Sequence, residues 1–182
     1  MTDNCGNNVI NRLIKGNEYY ITTGRFDGDV SEQARKRTVN GQSPIAVIIA
    51  CSDSRVIPEA IFDAGTGEIF VIRVAGNVID KTQLASVEYA VGHLKVNTVV
   101  VLGHTCCGAV GAAIHGEFGG LTGNITRRIK ECIGDEHDDL AASKLNALAG
   151  AKAIKENIPS EGLTVAAAVY DISSGKVEFF DR

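Results

Sequence analysis

No apolar run in this sequence approaches the roughly 20 residues that a bilayer-spanning helix needs. There is no basic excess either: 18 Lys and Arg stand against 22 Asp and Glu, for a net charge of −4. That balance supplies neither the electrostatic footprint of a nucleic-acid binder nor the polybasic patch of a membrane-surface protein. The opening residues, MTDNCGNNVINRL, lack the charged and then apolar regions of a secretory signal, so a cytoplasmic location is expected. Internal repeats, low-complexity segments and Pro/Gly/Ser linkers are missing too. The 182 residues therefore suit one domain, 1–182, large enough to bury a real core.

Five cysteines are present (Cys5, Cys51, Cys106, Cys107 and Cys132), an odd number in a chain without an export signal. Metal binding or catalysis accounts for them better than a disulfide framework does. Cys106 and Cys107 are adjacent, and a bridge between neighbours strains the peptide that joins them.

Residues 1–40 read as a helical arm in two pieces. The first, NNVINRLIKGNEYYITTG, places Ile10, Leu13, Ile14 and Tyr20 at helical spacing; the second is SEQARKRTVNG. Both are weakly apolar for core helices of a monomer, so they are expected to pack on a partner subunit. Beyond them the pattern changes. IAVIIA, EIFVIRVA, NTVVVLG and LTVAAAVYDI are continuous apolar runs rather than alternating ones, the signature of strands buried on both faces. Helical stretches lie between them at 58–63, 83–94, 108–115, 125–133 and 140–157. Strands alternating with helices of this length predict an α/β fold with a mainly parallel sheet flanked by helices. The C-terminal DISSGKVEFF reads as a hairpin turning at Ser173-Ser174-Gly175.

The reactive residues fall at strand ends. Cys51 directly follows IAVIIA, and His104 directly follows VVVLG. The carboxyl ends of parallel strands form the ligand crevice of such sheets, so residues far apart in sequence can meet there. Cys107 lies three residues past His104, at the start of a helix. Two thiolates and an imidazole leave one coordination position free, the ligand count of a catalytic zinc site rather than a closed structural one. A lone cysteine is more often a small buried hydrophobe, and spacing alone leaves the metal and core readings level. In CSDSR, Asp53 and Arg55 are placed to form a charge-assisted pair beside that site. A surface salt bridge of little worth is the alternative.

With CSDSR followed by GHTCCG, the chain resembles the β-class carbonic anhydrases, which carry Cys-x-Asp-x-Arg and then His-x-x-Cys-Gly in this order. The likeness runs from about Gly41 to Val177 through GQSP, VIRVAGN, SVEYAV and YDISSGKV. It implies reversible hydration of carbon dioxide to bicarbonate and a proton by zinc-bound hydroxide. Cys51, His104 and Cys107 would be the zinc ligands and Asp53 with Arg55 the catalytic dyad. Gln42, Phe70 and Tyr89 match the substrate pocket of the plant-like branch, and Gly108 matches a backbone N–H that faces substrate. The resemblance also implies a homodimer or dimer of dimers, with the active site at the interface and part of the pocket supplied by the neighbour. Some bacterial relatives carry a Trp three residues before the first cysteine ligand, in a pocket that favours an Asp-ligated, closed metal; here Ile48 stands there and Trp is absent altogether. Asp53 is therefore expected to be paired to Arg55. Hydrolysis of carbonyl sulfide or carbon disulfide is the alternative enzyme reading, and a non-catalytic zinc or thiol-redox protein the third. Cys106 reads as a bystander thiol.

Overall fold

The continuous apolar runs become the centre of a five-stranded sheet. A computed structural model describes residues 3–181, with side chains from residue 6 onward. Helices α1 (Asp3–Thr23) and α2 (Glu32–Thr38) precede β1 (Ala46–Ala50), α3 (Pro58–Ile61) and β2 (Ile69–Arg73). A short 3-10 turn, Ala75–Asn77, leads to α4 (Lys81–Gly92), β3 (Thr98–His104), α5 (Gly108–Ile114) and α6 (Gly123–Ile133). The chain closes with α7 (Asp139–Asn157), β4 (Thr164–Tyr170) and β5 (Val177–Asp181). The strand order is β2-β1-β3-β4-β5, parallel except for the β4–β5 hairpin. This is the α/β architecture expected, with the five helices predicted from residue 58 onward found within two residues of their expected limits.

Every residue of β1 and β3 is buried. Alternate side chains explain why the runs are continuous. Ile48, Val100 and Ala168 face a layer formed with α1 and α3, whereas Ile49, Val101 and Ala167 face α4 and α7. Neither face of these strands meets water, so neither selects polar residues. In the hairpin turn, the Asp171 carboxylate accepts the N–H groups of Ser173 and Ser174, each at 2.8 Å, and Gly175 takes a positive φ of 74°.

One expectation is corrected in part. Helix α1 is a core helix of its own chain, its inner face packed on the sheet: Ile10 and Leu13 are fully buried in the core layer that holds Phe62, Val100 and Tyr170. Burying each is worth about 1.5–3 kcal/mol. Few large apolar residues suffice because the helix comes in close; a Cβ at Gly16 would sit 2.0 Å from the Phe62 carbonyl oxygen. Asn17, also buried, completes the seam: its amide donates to the carbonyls of Ile61 (3.2 Å) and Gly175 (2.8 Å) and accepts the Val177 N–H (2.8 Å). By contrast α2 buries only Ala34.

Candidate metal centre

The chain order of the sheet creates the site. From β1 the chain passes to β2 on one side, and β3 then lies on the other side of β1. The crevice at this reversal, beyond the carboxyl ends of β1 and β3, is where such sheets bind ligands. Ala50 is level with Leu102, so Cys51 and His104 emerge side by side despite their separation in sequence. Cys107, the N-cap of α5, is carried back to them by the turn after β3. One donor atom from each of Cys51, His104 and Cys107 lies within 4.8 Å of the others, and all three residues are buried.

Local hydrogen bonds aim the donors. His104 Nδ1 is 2.9 Å from the Thr105 carbonyl oxygen, which fixes the proton on Nδ1. The buried Nε2 is then left with its lone pair free and has no hydrogen-bond partner among the described residues. An orphaned buried nitrogen is costly unless something binds it, and its neighbours are two sulfurs. The arrangement fits a tetrahedral metal with two thiolates, one imidazole and one open position. Cys51 Sγ accepts the backbone N–H groups of Gly76 (3.2 Å) and Asp53 (3.4 Å). Gly76 reaches it with φ of 65°, and a Cβ there would come within 2.6 Å of Ile129 Cδ1.

Without metal the two thiols share a proton. Cys51 is pulled well below the ordinary thiol value, first because Cys107 donates to it; burial opposes this, while His104 and the two N–H groups assist. Cys107 is driven well above the ordinary thiol value by the same bond, by burial and by the Cys51 charge. For His104, burial opposes the charged ring, but the Cys51 thiolate and the Thr105 carbonyl prevail and the pKa is raised.

Asp53 and Arg55 form a two-point pair: Nε donates to Oδ1 at 2.9 Å and Nη2 to Oδ2 at 2.7 Å, as expected. The guanidinium holds the carboxyl well below the usual carboxylate range, so it stays ionised. Arg73, at the end of β2, clamps the backbone of the same loop by donating to the carbonyls of Cys51 (3.0 Å) and Asp53 (2.7 Å).

Helix α7 contributes residues that sequence reasoning missed. Asp139, Ser143 and Asn146, at positions i, i+4 and i+7 on one face, each hold a different backbone segment around the site. Asp139 Oδ2 accepts the Cys106 N–H (2.7 Å), Ser143 Oγ donates to the His104 carbonyl (3.0 Å) and Asn146 Nδ2 donates to the Gly76 carbonyl (2.8 Å). The available signal was three polar residues at helical spacing in an otherwise Ala-rich stretch.

The sequence also matches a known family and its relatives. The model described as carbonic anhydrase matches residues 46–177. The chain belongs to the β-carbonic anhydrase family. It is 36% identical over 187 residues to carbonic anhydrase 2 of Mycobacterium tuberculosis, covering 93% of this chain and 90% of that protein. The carbonic anhydrase of Mycolicibacterium smegmatis is 33% identical, with 91% and 89% covered. Among solved structures, a β-carbonic anhydrase of Aspergillus fumigatus superposes with a TM-score of 0.71 at 32% identity, covering 80% of this chain and 79% of that one. Tetrameric β-carbonic anhydrases of Sordaria macrospora give 0.70 at 31%, with 80% and 84% covered.

The four pocket residues are not gathered at the triad of a single chain. Gly108 follows Cys107 directly and borders a cavity of about 400 Å³ with Ala75, Ala109, Glu117 and Thr126. Phe70 pairs with Val47, four residues before Cys51 and about 13 Å from its level on the sheet. Tyr89 is half exposed on α4 and stacks between Phe70 (6.3 Å between ring centroids) and His93 (5.1 Å). Gln42 is exposed before β1, at the opposite end of that strand from Cys51. A larger cavity, about 650 Å³ around Val74, Arg127, Arg128 and Glu131, contains none of the three metal donors.

Proposed function

We propose that this chain hydrates carbon dioxide reversibly to bicarbonate and a proton, with zinc held by Cys51 Sγ, His104 Nε2 and Cys107 Sγ. The observation that carries the reading is the buried, unpartnered His104 Nε2 facing two thiols beside an ionised Asp53–Arg55 pair. Two sulfurs and one nitrogen on rigid strand ends suit zinc by their softness and number. When bound, zinc acidifies water and so supplies hydroxide near neutral pH.

The residues of the chain do the rest. Asp53 is ionised and its oxygens already face Arg55, so toward the site it acts only as a hydrogen-bond acceptor. It would accept a hydrogen bond from the O–H of an oxygen nucleophile and thereby turn that oxygen's lone pair toward the carbon. The Gly76 and Asp53 N–H groups steady the Cys51 thiolate, and the Thr105 carbonyl fixes the His104 ring. Val78 and Val110 pack with Cys51 and Cys107 into an apolar wall, which suits an apolar substrate. Gly108 leaves open space beside Cys107: apart from its chain neighbours and the backbone of its own helix, no atom lies within 4 Å of where its Cβ would be; its N–H is the proposed substrate donor.

A plant-like pocket completes the reading, with Gln42, Phe70 and Tyr89 presented to the metal by a second copy of the chain in a dimer or dimer of dimers. The place of Gln42 before β1 and of Phe70 near the start of β2, at the end of the sheet away from Cys51, and the exposure of Tyr89 on α4 support this. A stopped-flow assay of carbon dioxide hydration tests the whole, with Cys51→Ala as control. Activity in the wild type and none in the variant is expected; activity that survives the loss of Cys51 sinks the mechanism.

A further inference from the structure

Cys106 is a non-glycine residue in the left-handed region, with φ of 55°. Its thiol is exposed, but its main chain is held from both sides. The N–H donates to Asp139 Oδ2 at 2.7 Å, and the carbonyl accepts Arg55 Nη2 at 3.1 Å. That same Nη2 grips Asp53 Oδ2 at 2.7 Å. A residue with a Cβ is strained in this conformation, so something must hold it there. Among the described residues, the side-chain hydrogen bond of Asp139 goes to this residue and not to a metal donor or the dyad.

From this chain of contacts we infer that Asp139 is a positioning residue for the reaction: by clamping the Cys106 N–H it keeps the Cys106 carbonyl aimed at Arg55 and so keeps Arg55 locked on Asp53. When the clamp is removed, Cys106 relaxes toward negative φ and its carbonyl turns away. Arg55 then loses one of its two anchors, and Asp53 is no longer held in a single orientation. The inference rests on the dyad reading above and adds a residue 33 positions beyond the Cys106 turn, on a different element.

The test uses zinc-loaded protein and two readouts, one of which needs no catalysis. Amide hydrogen exchange at Cys106 reports the clamp, and kcat for hydration reports the dyad. In Asp139→Ala, exchange at Cys106 accelerates and kcat falls roughly 10–100-fold with zinc content unchanged, the usual scale for outer partners of a metal site. Glycine occupies the left-handed region without strain, so Cys106→Gly added to Asp139→Ala restores kcat. Asp139→Asn, which keeps an oxygen acceptor, retains most of it. The inference is overturned if Asp139→Ala keeps Cys106 protected, if kcat is unchanged, or if Cys106→Gly fails to restore it. If Asp139→Ala does not fold, Asp139→Asn decides: protection of the Cys106 N–H and kcat that are retained or lost together support the clamp, and a change in one without the other overturns it. Failure of the hydration reading itself would show separately, as a wild type without activity.

Discussion

Arg55 meets Asp53 through two roughly parallel bonds, 2.9 Å from Nε and 2.7 Å from Nη2, while Nη2 also reaches the Cys106 carbonyl at 3.1 Å. A planar fork makes this possible; the point charge of lysine does not reproduce it. Arg55→Lys is therefore expected to behave nearly as poorly as Arg55→Ala, each losing about 10–100-fold in kcat/KM. Stopped-flow hydration checks this, and a lysine variant close to wild type would show that charge alone suffices.

The two neighbouring thiols should separate cleanly. Cys107 is buried among the donors, whereas the Cys106 side chain is exposed. Cys106→Ser is expected to keep both zinc and hydration activity and Cys107→Ser to lose both, as read by metal analysis and assay on the same samples. Equal loss in the two variants would place the Cys106 sulfur at the metal.

Zinc loading should consume base. At neutral pH the metal-free site holds Cys51 as thiolate, Cys107 as thiol and His104 with a raised pKa. Metal entry must displace the Cys107 proton, because only deprotonated ligands bind. At least that proton leaves, so apparent zinc affinity falls at least about tenfold as the pH drops from 7 to 6. Chelator competition at several pH values measures the slope, and calorimetry in buffers of different ionisation enthalpy counts the protons. An affinity independent of pH would contradict the shared-proton pair.

What could be read before the fold was known follows a physical division. Strands buried on both faces read as continuous apolar runs, so 46–50 and 99–102 are legible as strands, with the chemistry-bearing Cys51 and His104 just past their ends. The packing of α1 was misjudged because close approach at Gly16, rather than apolar bulk, brings the helix to the sheet. The left-handed turn at Cys106 and the hold of Asp139, Ser143 and Asn146 on it and its surroundings were invisible, since their partners are main-chain atoms 33 to 70 positions away. Phe70 and Tyr89 were recognisable as pocket residues by likeness only; their distance along the sheet from the triad depends on strand register, which no local pattern encodes.

Asn17 gives a stability prediction. Asn17→Ala removes the partner of the buried Val177 N–H and two bonds to the Ile61 and Gly175 carbonyls. One orphaned buried group costs about 1–3 kcal/mol, so the urea midpoint should fall clearly while zinc content in the folded protein is unchanged. A midpoint within error of wild type would mean that water replaces the amide at no cost.

The last prediction concerns where Phe70 and Tyr89 act. If a second copy carries them to the metal, a chain with a broken metal site still owns an intact wall, and a chain with a broken wall still owns an intact metal site. Cys51→Ala lacks the first; Phe70→Ala/Tyr89→Ala lacks the second. In a symmetric dimer each chain lends its wall to its partner, so a mixed dimer of the two variants contains one whole site and one doubly damaged one. Random re-association of equal amounts places half the dimers in the mixed class, and activity should rise to about one quarter of wild type per chain. If the rings served their own chain, every mixed dimer would hold one site without metal and one without a wall, and mixing would add nothing to the sum of the two variants. Hydration measured before and after subunit exchange therefore distinguishes a shared pocket from a self-contained one.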